Sequence, residues 1–288
     1  MNKKLFNLLL LHLTVFVWGF TGVIGKLISL DALSLVWYRT LIAVISLGII
    51  GLFYLDFKKM KVDALFQLLL TGIVIGLHWL SFFYAIKISN VSITLACLSA
   101  SSFFTALLDP LINKTRLKIY QIILGLIVIA ALLLIFNLES KYRMGIFISL
   151  ISAFLSSLFT VLNGTFVKKY RTITIAWFEL AGAFILVSIF IFISGNFNDN
   201  FFKISSYDFQ WLFLLGTVCT AFAYVAGVYV LKQINPFTVS LTVNLEPVYG
   251  IVIAFLIFRE SETMTTGFYL GALAIIATLI ANAYLANR

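Results

Sequence analysis

The first residue in this sequence whose type and position point to chemistry is Glu246, which lies within an apolar stretch that begins near Pro236. About ten residues of helix place its carboxylate roughly 15 Å into that stretch. An ionised carboxylate at mid-bilayer costs about 3 kcal/mol or more, so Glu246 must be neutral, paired or facing water. Pro247 bends the helix beside it, and Asn244 is close in sequence. These residues predict a substrate or proton site; the alternative is a structural carboxyl group hydrogen-bonded to a neighbouring helix.

A second polar position is formed by His78 and Trp79, at a depth in their stretch similar to that of Glu246. A relay between His78 and Glu246 therefore requires only that the two helices face one cavity, although a satisfied core histidine is the alternative. Trp18 and Trp79 lie deep within their stretches, where they would line a cavity for amphipathic solutes or serve helix packing.

Two further charges, Arg39 and Glu179, lie within apolar stretches. Their depths differ by roughly 10 Å along the membrane normal, since the hydrocarbon core is about 30 Å thick. No ion pair between them is therefore predicted. Each is expected to serve its own vestibule or to reach the interface, and Arg39 is included among the candidate substrate-binding residues.

Other polar groups in apolar stretches are Ser101, Asn163 and Tyr224, and we expect these to face the same cavity. The chain contains no H-E-x-x-H, no nucleophile beside a base and no G-x-x-x-x-G-K-[ST]. Cys97 and Cys219 are expected to be small core residues. We therefore predict that the protein has no catalytic residues, no cofactor and no metal site, and that it is not an enzyme.

The composition identifies the solvent, since 62% of the residues are hydrophobic and 11% are charged. A soluble domain carries about a quarter charged residues, so this chain needs a bilayer. The net charge of +9 falls in small clusters between apolar stretches, which argues against nucleic acid as a partner.

About ten transmembrane helices account for most of the chain, and the predicted fold is an all-α membrane protein. The expected spans are 5–25, 33–55, 64–86, 91–112, 118–137, 145–167, 173–194, 209–231, 236–258 and 265–285. The first is expected to be a retained helix, because Val17 to Phe20 stand where a signal peptide would carry a small-residue cleavage site.

The basic residues alternate between the two sides of these spans. Thirteen fall on the side of the N-terminus and six on the other, with Arg39 inside a span. The first set is Lys3, Lys4, Lys58, Lys59, Lys61, Lys114, Arg116, Lys118, Lys168, Lys169, Arg171, Lys232 and Arg288, and the second is Lys26, Lys87, Lys141, Arg143, Lys203 and Arg259. The positive-inside rule therefore predicts that both termini are cytoplasmic.

The two halves of the chain resemble each other weakly. Trp37-Tyr38-Arg39 matches Trp177-Phe178-Glu179 at an offset of 140, and Tyr84 to Lys87 match Tyr229 to Lys232 at an offset of 145, with Asn90 then matching Asn235. Chance is the alternative, because apolar segments resemble each other easily. Two repeats are predicted, residues 1–138 and 139–288. Because each has five helices, the second is inverted, and a substrate site is expected near the midplane where the halves meet.

These residues resemble the EamA-type transporters of the drug/metabolite transporter superfamily over nearly the whole chain. The shared marks are Trp18-Gly19, Trp37-Tyr38-Arg39, and Glu246-Pro247 with Glu260; in the first half Ser102 and Thr115 stand opposite Pro247 and Glu260. The resemblance implies ten helices in two inverted repeats around a central cavity. It also implies transport of small metabolites, often as exporters of amino acids or related compounds.

The sequence thus predicts a secondary transporter of a small organic metabolite in the bacterial cytoplasmic (inner) membrane, with efflux by alternating access as the halves rock. A proton-coupled cycle through Glu246 is a hypothesis. The alternatives are a structural or assembly subunit and an intramembrane enzyme on lipid-linked substrates. The predicted partners are a small molecule and lipid. Gly267 and Gly271 in the last helix favour packing within the monomer, with a homodimer contact as the alternative.

Overall fold

The computed structural model describes residues 3–51, 60–138, 140–198 and 201–285, and its long elements are all α-helices. The predicted Lys58, Lys59 and Arg288 lie outside these residues, as does the proposed repeat boundary at residue 139. The helices are α1 (Lys3–Leu27), α2 (Ala32–Gly51), α3 (Val62–Ile88), α4 (Val91–Leu98), α5 (Ser101–Asn113), α6 (Ile119–Leu138), α7 (Arg143–Phe166), α8 (Thr172–Ile193), α9 (Ser206–Gly216), α10 (Ala223–Val230), α11 (Pro236–Val243), α12 (Glu246–Phe258) and α13 (Thr266–Leu285). A π-helical segment, Thr217–Phe222, joins α9 to α10, and a 3₁₀ turn, Arg259–Glu262, follows α12.

These helices form ten apolar segments, because α4–α5, α9–α10 and α11–α12 are interrupted spans. Within the described residues, eight segments are long and apolar enough to cross a membrane, and α6 and α13 contain the shorter apolar stretches Ile119–Leu134 and Thr266–Thr278. Large side chains such as Ile49, Leu256 and Ile280 are exposed on the outer faces. So extensive an exposed apolar surface requires hydrocarbon around it. The predicted all-α membrane fold is confirmed.

The fourth and ninth segments are interrupted in the same way. Each has a helix of eight residues followed by one of thirteen. The first helices begin at Val91 and Pro236, which are 145 residues apart, and the second helices end at Asn113 and Phe258, which are also 145 residues apart. Asparagine caps both starts: Asn90 accepts from the backbone N–H of Ile93 at 2.8 Å, and Asn235 from that of Thr238 at 2.9 Å. The spacing equals the offset of the sequence match between Asn90 and Asn235.

We describe eight of the segments as two groups. In the α3 group, α3 packs against α7 and α8, and α7 packs against α4 and α5. In the α1 group, α1 packs against α10 and α12, and α2 against α9 and the π segment, with α11 continuous with α12. The two groups also pack against each other, most extensively through α2 and α8, and further through α4 and α12 and through α5 and α11. The remaining helices, α6 and α13, pack against each other. Each group draws helices from both halves of the sequence, which is the pairing expected when each repeat places its helices against the other.

In the α3 group, α3 and α8 approach each other closely at a pair of glycines. A Cβ atom on Gly182 would lie 3.1 Å from the Cα atom of Gly72, and one on Gly72 would contact the carbonyl group of Glu179. Only glycine permits backbones to approach so closely. This contact fixes the position of Glu179 along the axis of α3.

Candidate substrate cavity

A cavity of about 80 Å³ lies between the α3 group and the α1 group. It is lined by eight of the nine residues that the sequence predicts for a substrate site: Trp18, Arg39, His78, Trp79, Ser101, Asn163, Tyr224 and Glu246. The sequence did not assign the other lining residues to the cavity, and it placed one of them, Cys219, in the core; they are Thr21, Phe82, Leu98, Ser156, Phe159, Thr160, Cys219, Gly227, Val228, Leu231, Val239, Ser240 and Val243. At roughly 10–15 Å³ for each water position, the cavity has room for several waters or a small solute.

Arg39 is held by both groups. Its Nε and Nη2 atoms donate to Thr220 Oγ1 at 3.1 and 2.8 Å, and its guanidinium lies over the Trp79 ring, 4.2 Å from the centroid. The side chain is 1% exposed, so it does not reach the membrane interface. Its Nη1 atom has no hydrogen-bond partner in the described structure. The two N–H groups of Nη1, on a fixed and desolvated cation, therefore remain without an acceptor.

The π-helical segment supports this arrangement from α9–α10. Thr220 lies within it and donates its own hydroxyl to the carbonyl of Leu215, five residues earlier, at 2.6 Å. That bond leaves the Thr220 oxygen as an acceptor for Arg39. Short π-helical insertions occur frequently at functional sites. This segment contains no proline, so the sequence does not predict the irregularity.

Glu246 is the first residue of α12 and faces the cavity. Its side chain is 5% exposed, and it makes no hydrogen bond and no ion pair within 4.0 Å to any described residue. The structural alternative, a carboxyl group bonded to a neighbouring helix, therefore finds no support there. The ninth segment is interrupted at Asn244 and Leu245, and Pro247 lies in the first turn after the break. The break places the Glu246 carboxylate at a helix N-terminus, which favours negative charge.

His78 also lines the cavity, but Ser152 on α7 occupies its Nδ1 atom. The Ser152 carbonyl oxygen and hydroxyl oxygen lie 2.9 and 2.8 Å from Nδ1. The ring also contacts Phe82 and Phe159, with centroids 6.1 and 5.5 Å away. His78 and Glu246 face one cavity without direct contact in the described structure, so the geometry shows no relay between them.

Glu179 lies behind the cavity wall and is 0% exposed. Tyr224 donates its hydroxyl to Glu179 Oε2 at 2.7 Å, and Asn163 donates from Nδ2 to the same oxygen at 3.2 Å. Its Oε1 atom has no partner in the described structure. The sequence places Glu179 in a vestibule or at the interface, but the structure places it in the interior, covered by two cavity residues.

Asn244 is the predicted site residue that does not line the cavity. It lies at the break between α11 and α12 and donates from Nδ2 to Ser102 Oγ at 3.2 Å. Ser102 belongs to α5, so this bond joins the two interrupted segments near their breaks.

A different polar cluster closes the bundle at the end where α1 terminates, which we call the Lys26 end. Lys26 Nζ lies 2.7 Å from Glu262 Oε1 and donates to Ser261 Oγ at 2.9 Å. Glu262 also accepts from the backbone N–H groups of Val91 and Ser92 at 3.2 and 2.9 Å and from the Ser92 hydroxyl at 2.6 Å. Since α4 belongs to the α3 group and Lys26 to the α1 group, this cluster ties the two groups together.

Two contacts support the same end. Asp208 on α9 accepts from the backbone N–H and the hydroxyl of Ser29, at 2.8 and 2.6 Å. Lys87 on α3 donates to the carbonyl of Ile28 at 2.6 Å. At the opposite end the cavity extends as far as Leu231 and Val239, next to the junction of α10 and α11.

Comparison with known proteins agrees with this architecture. The sequence profile of the EamA-like transporter family matches residues 5–137 and 143–283. An uncharacterized transporter of Archaeoglobus fulgidus is 26% identical over 288 residues, covering 96% of each chain. A solved crystal structure superposes with a TM-score of 0.72 at 15% identity, covering 98% of both chains, which shows the fold. Because this profile matches nearly the whole length of the multi-pass helical bundle described above, the chain belongs to the EamA-like transporter family, a family of transporters and not of enzymes.

Proposed function

We propose that this transporter moves a zwitterionic small molecule, an amino acid or a related compound, by alternating access. One observation carries the proposal: Arg39 and Glu246 face one cavity without pairing with each other in the described structure. A buried cation and a buried anion are costly unless compensated. A ligand carrying a carboxylate and an ammonium group compensates both.

The two charges are suited to different ends of such a ligand. The free Nη1 donor of Arg39 would bind the carboxylate, since guanidinium hydrogen bonds to carboxylates are strong and directional. Glu246 would accept the ammonium group. The walls supply Trp18, Trp79 and Phe159, against which an apolar side chain would pack.

The conformation also supports a direction of opening. An ion pair and backbone hydrogen bonds join the α3 group to the α1 group at the Lys26 end. Toward the other end the cavity lies beside uncharged contacts between the groups, a hydroxyl pair of Thr105 and Ser240 at 2.8 Å and the apolar packing of Ala106 with Phe237 and Leu241. With both termini cytoplasmic, as the basic residues predict, the Lys26 end is outside and the cavity faces inward. We therefore propose export across the bacterial cytoplasmic membrane, with substrate loading from the cytoplasm in this state and the two groups rocking to open the Lys26 end.

A homodimer through α13 stays a prediction. In the described structure α13 packs against α6 of the same chain, and Gly271 is buried. Cross-linking in native membranes would test it.

The proposed function is tested by ligand-induced stabilisation of the purified protein. Leucine, phenylalanine and threonine are each compared with the corresponding amide, which lacks the carboxylate, and with the deaminated acid, which lacks the ammonium group. A ligand of the folded state raises the unfolding temperature with the logarithm of its concentration. We expect at least one zwitterion to stabilise the protein and both its analogues to fail.

Two outcomes would contradict the proposal. One is the absence of stabilisation by any of the zwitterions at millimolar concentration. The other is equal stabilisation by a zwitterion and its analogues, since a site that needs both charges must discriminate against the loss of either one.

A further inference from the structure

We propose that Glu179 is a proton-binding site of the transport cycle, separate from Glu246, so that transport of the zwitterion is coupled to a proton. The inference rests on the proposed function for its coupling, but the protonation of Glu179 can be tested without any substrate. Its starting point is a buried carboxyl group with one oxygen bonded to Tyr224 and Asn163 and the other oxygen without a partner in the described structure.

The first step is the absence of a compensating cation. Glu179 makes no ion pair within 4.0 Å to any described residue. From α2, Arg39 is engaged by Thr220 and Trp79; from α3, His78 is engaged by Ser152. From α10 and α7, the groups in contact are Tyr224 and Asn163, neither of which carries a charge at neutral pH.

The second step is the cost of leaving that charge unpaired. An unpaired ionised carboxylate in the membrane interior is strongly disfavoured relative to its neutral form. Two neutral donors offset part of this cost and leave one oxygen unsolvated. Glu179 therefore carries a proton in this conformation.

The third step concerns what releases the proton. Glu179 lies on α8 in the α3 group, while Tyr224 lies on α10 in the α1 group, so their 2.7 Å hydrogen bond crosses between the groups. Rocking of one group against the other changes that bond. Tyr224 and Asn163 also line the cavity, so a single layer of side chains separates the carboxyl group from water. Displacement of Tyr224 would let water reach Glu179, which then transfers its proton to that water.

The two carboxyl groups therefore have different tasks. Glu246 faces the cavity directly and has no bond to a described residue, as a group that binds a solute requires. Glu179 is shielded from the cavity and bonded to its wall, as a group that senses the conformation requires.

The substrate-free test is infrared difference spectroscopy of the reconstituted protein across a pH titration. A protonated carboxyl group has a carbonyl stretching band that a carboxylate and an amide lack in that region. We expect wild-type protein and Glu246→Gln to share a titrating band that Glu179→Gln loses. An unchanged band in Glu179→Gln would overturn the protonation of Glu179.

The coupling test uses proteoliposomes with a pH gradient and radiolabelled leucine, phenylalanine or threonine. We expect Glu179→Gln to lose gradient-driven accumulation but to retain counterflow, in which labelled and unlabelled solute exchange without a net driving force. Retained counterflow also shows that the variant is folded; if Glu179→Gln does not fold, Tyr224→Phe, which removes only the hydroxyl donor, must alter the pH profile of accumulation.

The failures of the two proposals are distinguishable. If none of the zwitterions binds wild-type protein, the proposed function fails, whereas the infrared result stands by itself. If a zwitterion binds and exchanges, but Glu179→Gln still accumulates it along the pH gradient, the function stands and the coupling through Glu179 is refuted.

Discussion

The Lys26 end and the cavity each hold a basic side chain and a glutamate, but only the pair at the Lys26 end is in contact. At the Lys26 end, Glu262 meets Lys26 at 2.7 Å and receives three further hydrogen bonds from Val91 and Ser92. In the cavity, Arg39 and Glu246 remain apart, and Glu246 has no bond to a described residue. Both glutamates are buried, so exposure to solvent does not explain the difference.

The comparison separates charges that hold the structure from charges that await a ligand. A buried carboxylate with all its lone pairs satisfied contributes to closing the bundle, and its removal leaves donors without partners. A carboxylate without a partner in the protein lowers stability and persists only where function requires it. The two pairs should therefore respond differently to the same kind of substitution.

The largest expected effect on stability is that of Glu262→Ala. It leaves Lys26 and two backbone N–H groups at the start of α4 without their acceptor, and we expect a loss of about 3 kcal/mol in the free energy of unfolding. Denaturant unfolding in detergent micelles measures it. Glu260→Ala is the matched control, since Glu260 is exposed on the same turn and should change stability by less than about 0.5 kcal/mol. Equal effects of both variants would show that Glu262 does not hold the groups together.

Glu246→Gln should show the reverse pattern. Hydrogen bonds to charged groups contribute about 1.5–3 kcal/mol, so loss of the carboxylate should weaken binding of a zwitterion about tenfold to a hundredfold. Unfolding stability should be unchanged or higher, because no described residue forms a hydrogen bond or a close ion pair with this side chain, and its charge acts on Arg39 only at longer range. Equilibrium binding and denaturant unfolding of the same preparation provide both values. If Glu246→Gln were strongly destabilised, Glu246 would be a residue that holds the structure and not one that awaits a ligand.

Much of the candidate site was accessible from the sequence, because a charged or amide side chain in an apolar stretch is costly and needs a reason. That argument located Arg39, Asn163 and Glu246, and all three line the cavity. It also singled out Asn244, which lies at the helix break and bonds to Ser102 instead. Depth along the chain cannot show which way a residue faces where the helix is interrupted.

Other features left no usable signal. The small hydroxyl residues of the wall, such as Thr21 and Ser156, look like any threonine or serine in a membrane helix, where the hydroxyl commonly bonds to the backbone. The sequence predicts a cavity between two halves, whereas the α3 group and the α1 group each mix helices from both. Self-similarity predicts a repeat but does not predict which helices of the two copies pack together.

Glu179 shows a different limit. Its match to Arg39 in the repeat singled it out, yet straight-helix depths assigned each residue to a vestibule or the interface. The structure buries both, Arg39 against Trp79 and Glu179 against Tyr224. Partners from other helices decided these positions, and no pattern within one span encodes them.

Arg39→Lys sharpens the contrast between the two cations. Lysine keeps the charge but loses the planar stacking on Trp79 and the two-pronged bond to Thr220, so affinity for a zwitterion should fall about tenfold. The reciprocal change, Lys26→Arg, should leave both binding and stability nearly unchanged, because Lys26 is 25% exposed and its contacts need only a positive donor. Titration of both variants with the same ligand tests this. Equal losses would mean that the shape of the cation does not matter in the cavity.

The smallest effects are expected for two buried serines near the starts of α4 and α5. Ser92 donates its hydroxyl to Glu262 at 2.6 Å, so Ser92→Ala should cost about 1 kcal/mol of unfolding free energy and leave ligand binding unchanged. The Ser101 hydroxyl has no partner among the described residues and faces the cavity, so Ser101→Ala should leave stability unchanged and alter affinity about fivefold or less. Unfolding and binding measured on both variants would show whether the division between structural and ligand-binding polar groups extends to uncharged side chains. If both serines affected only stability, that division would be confined to the charged residues.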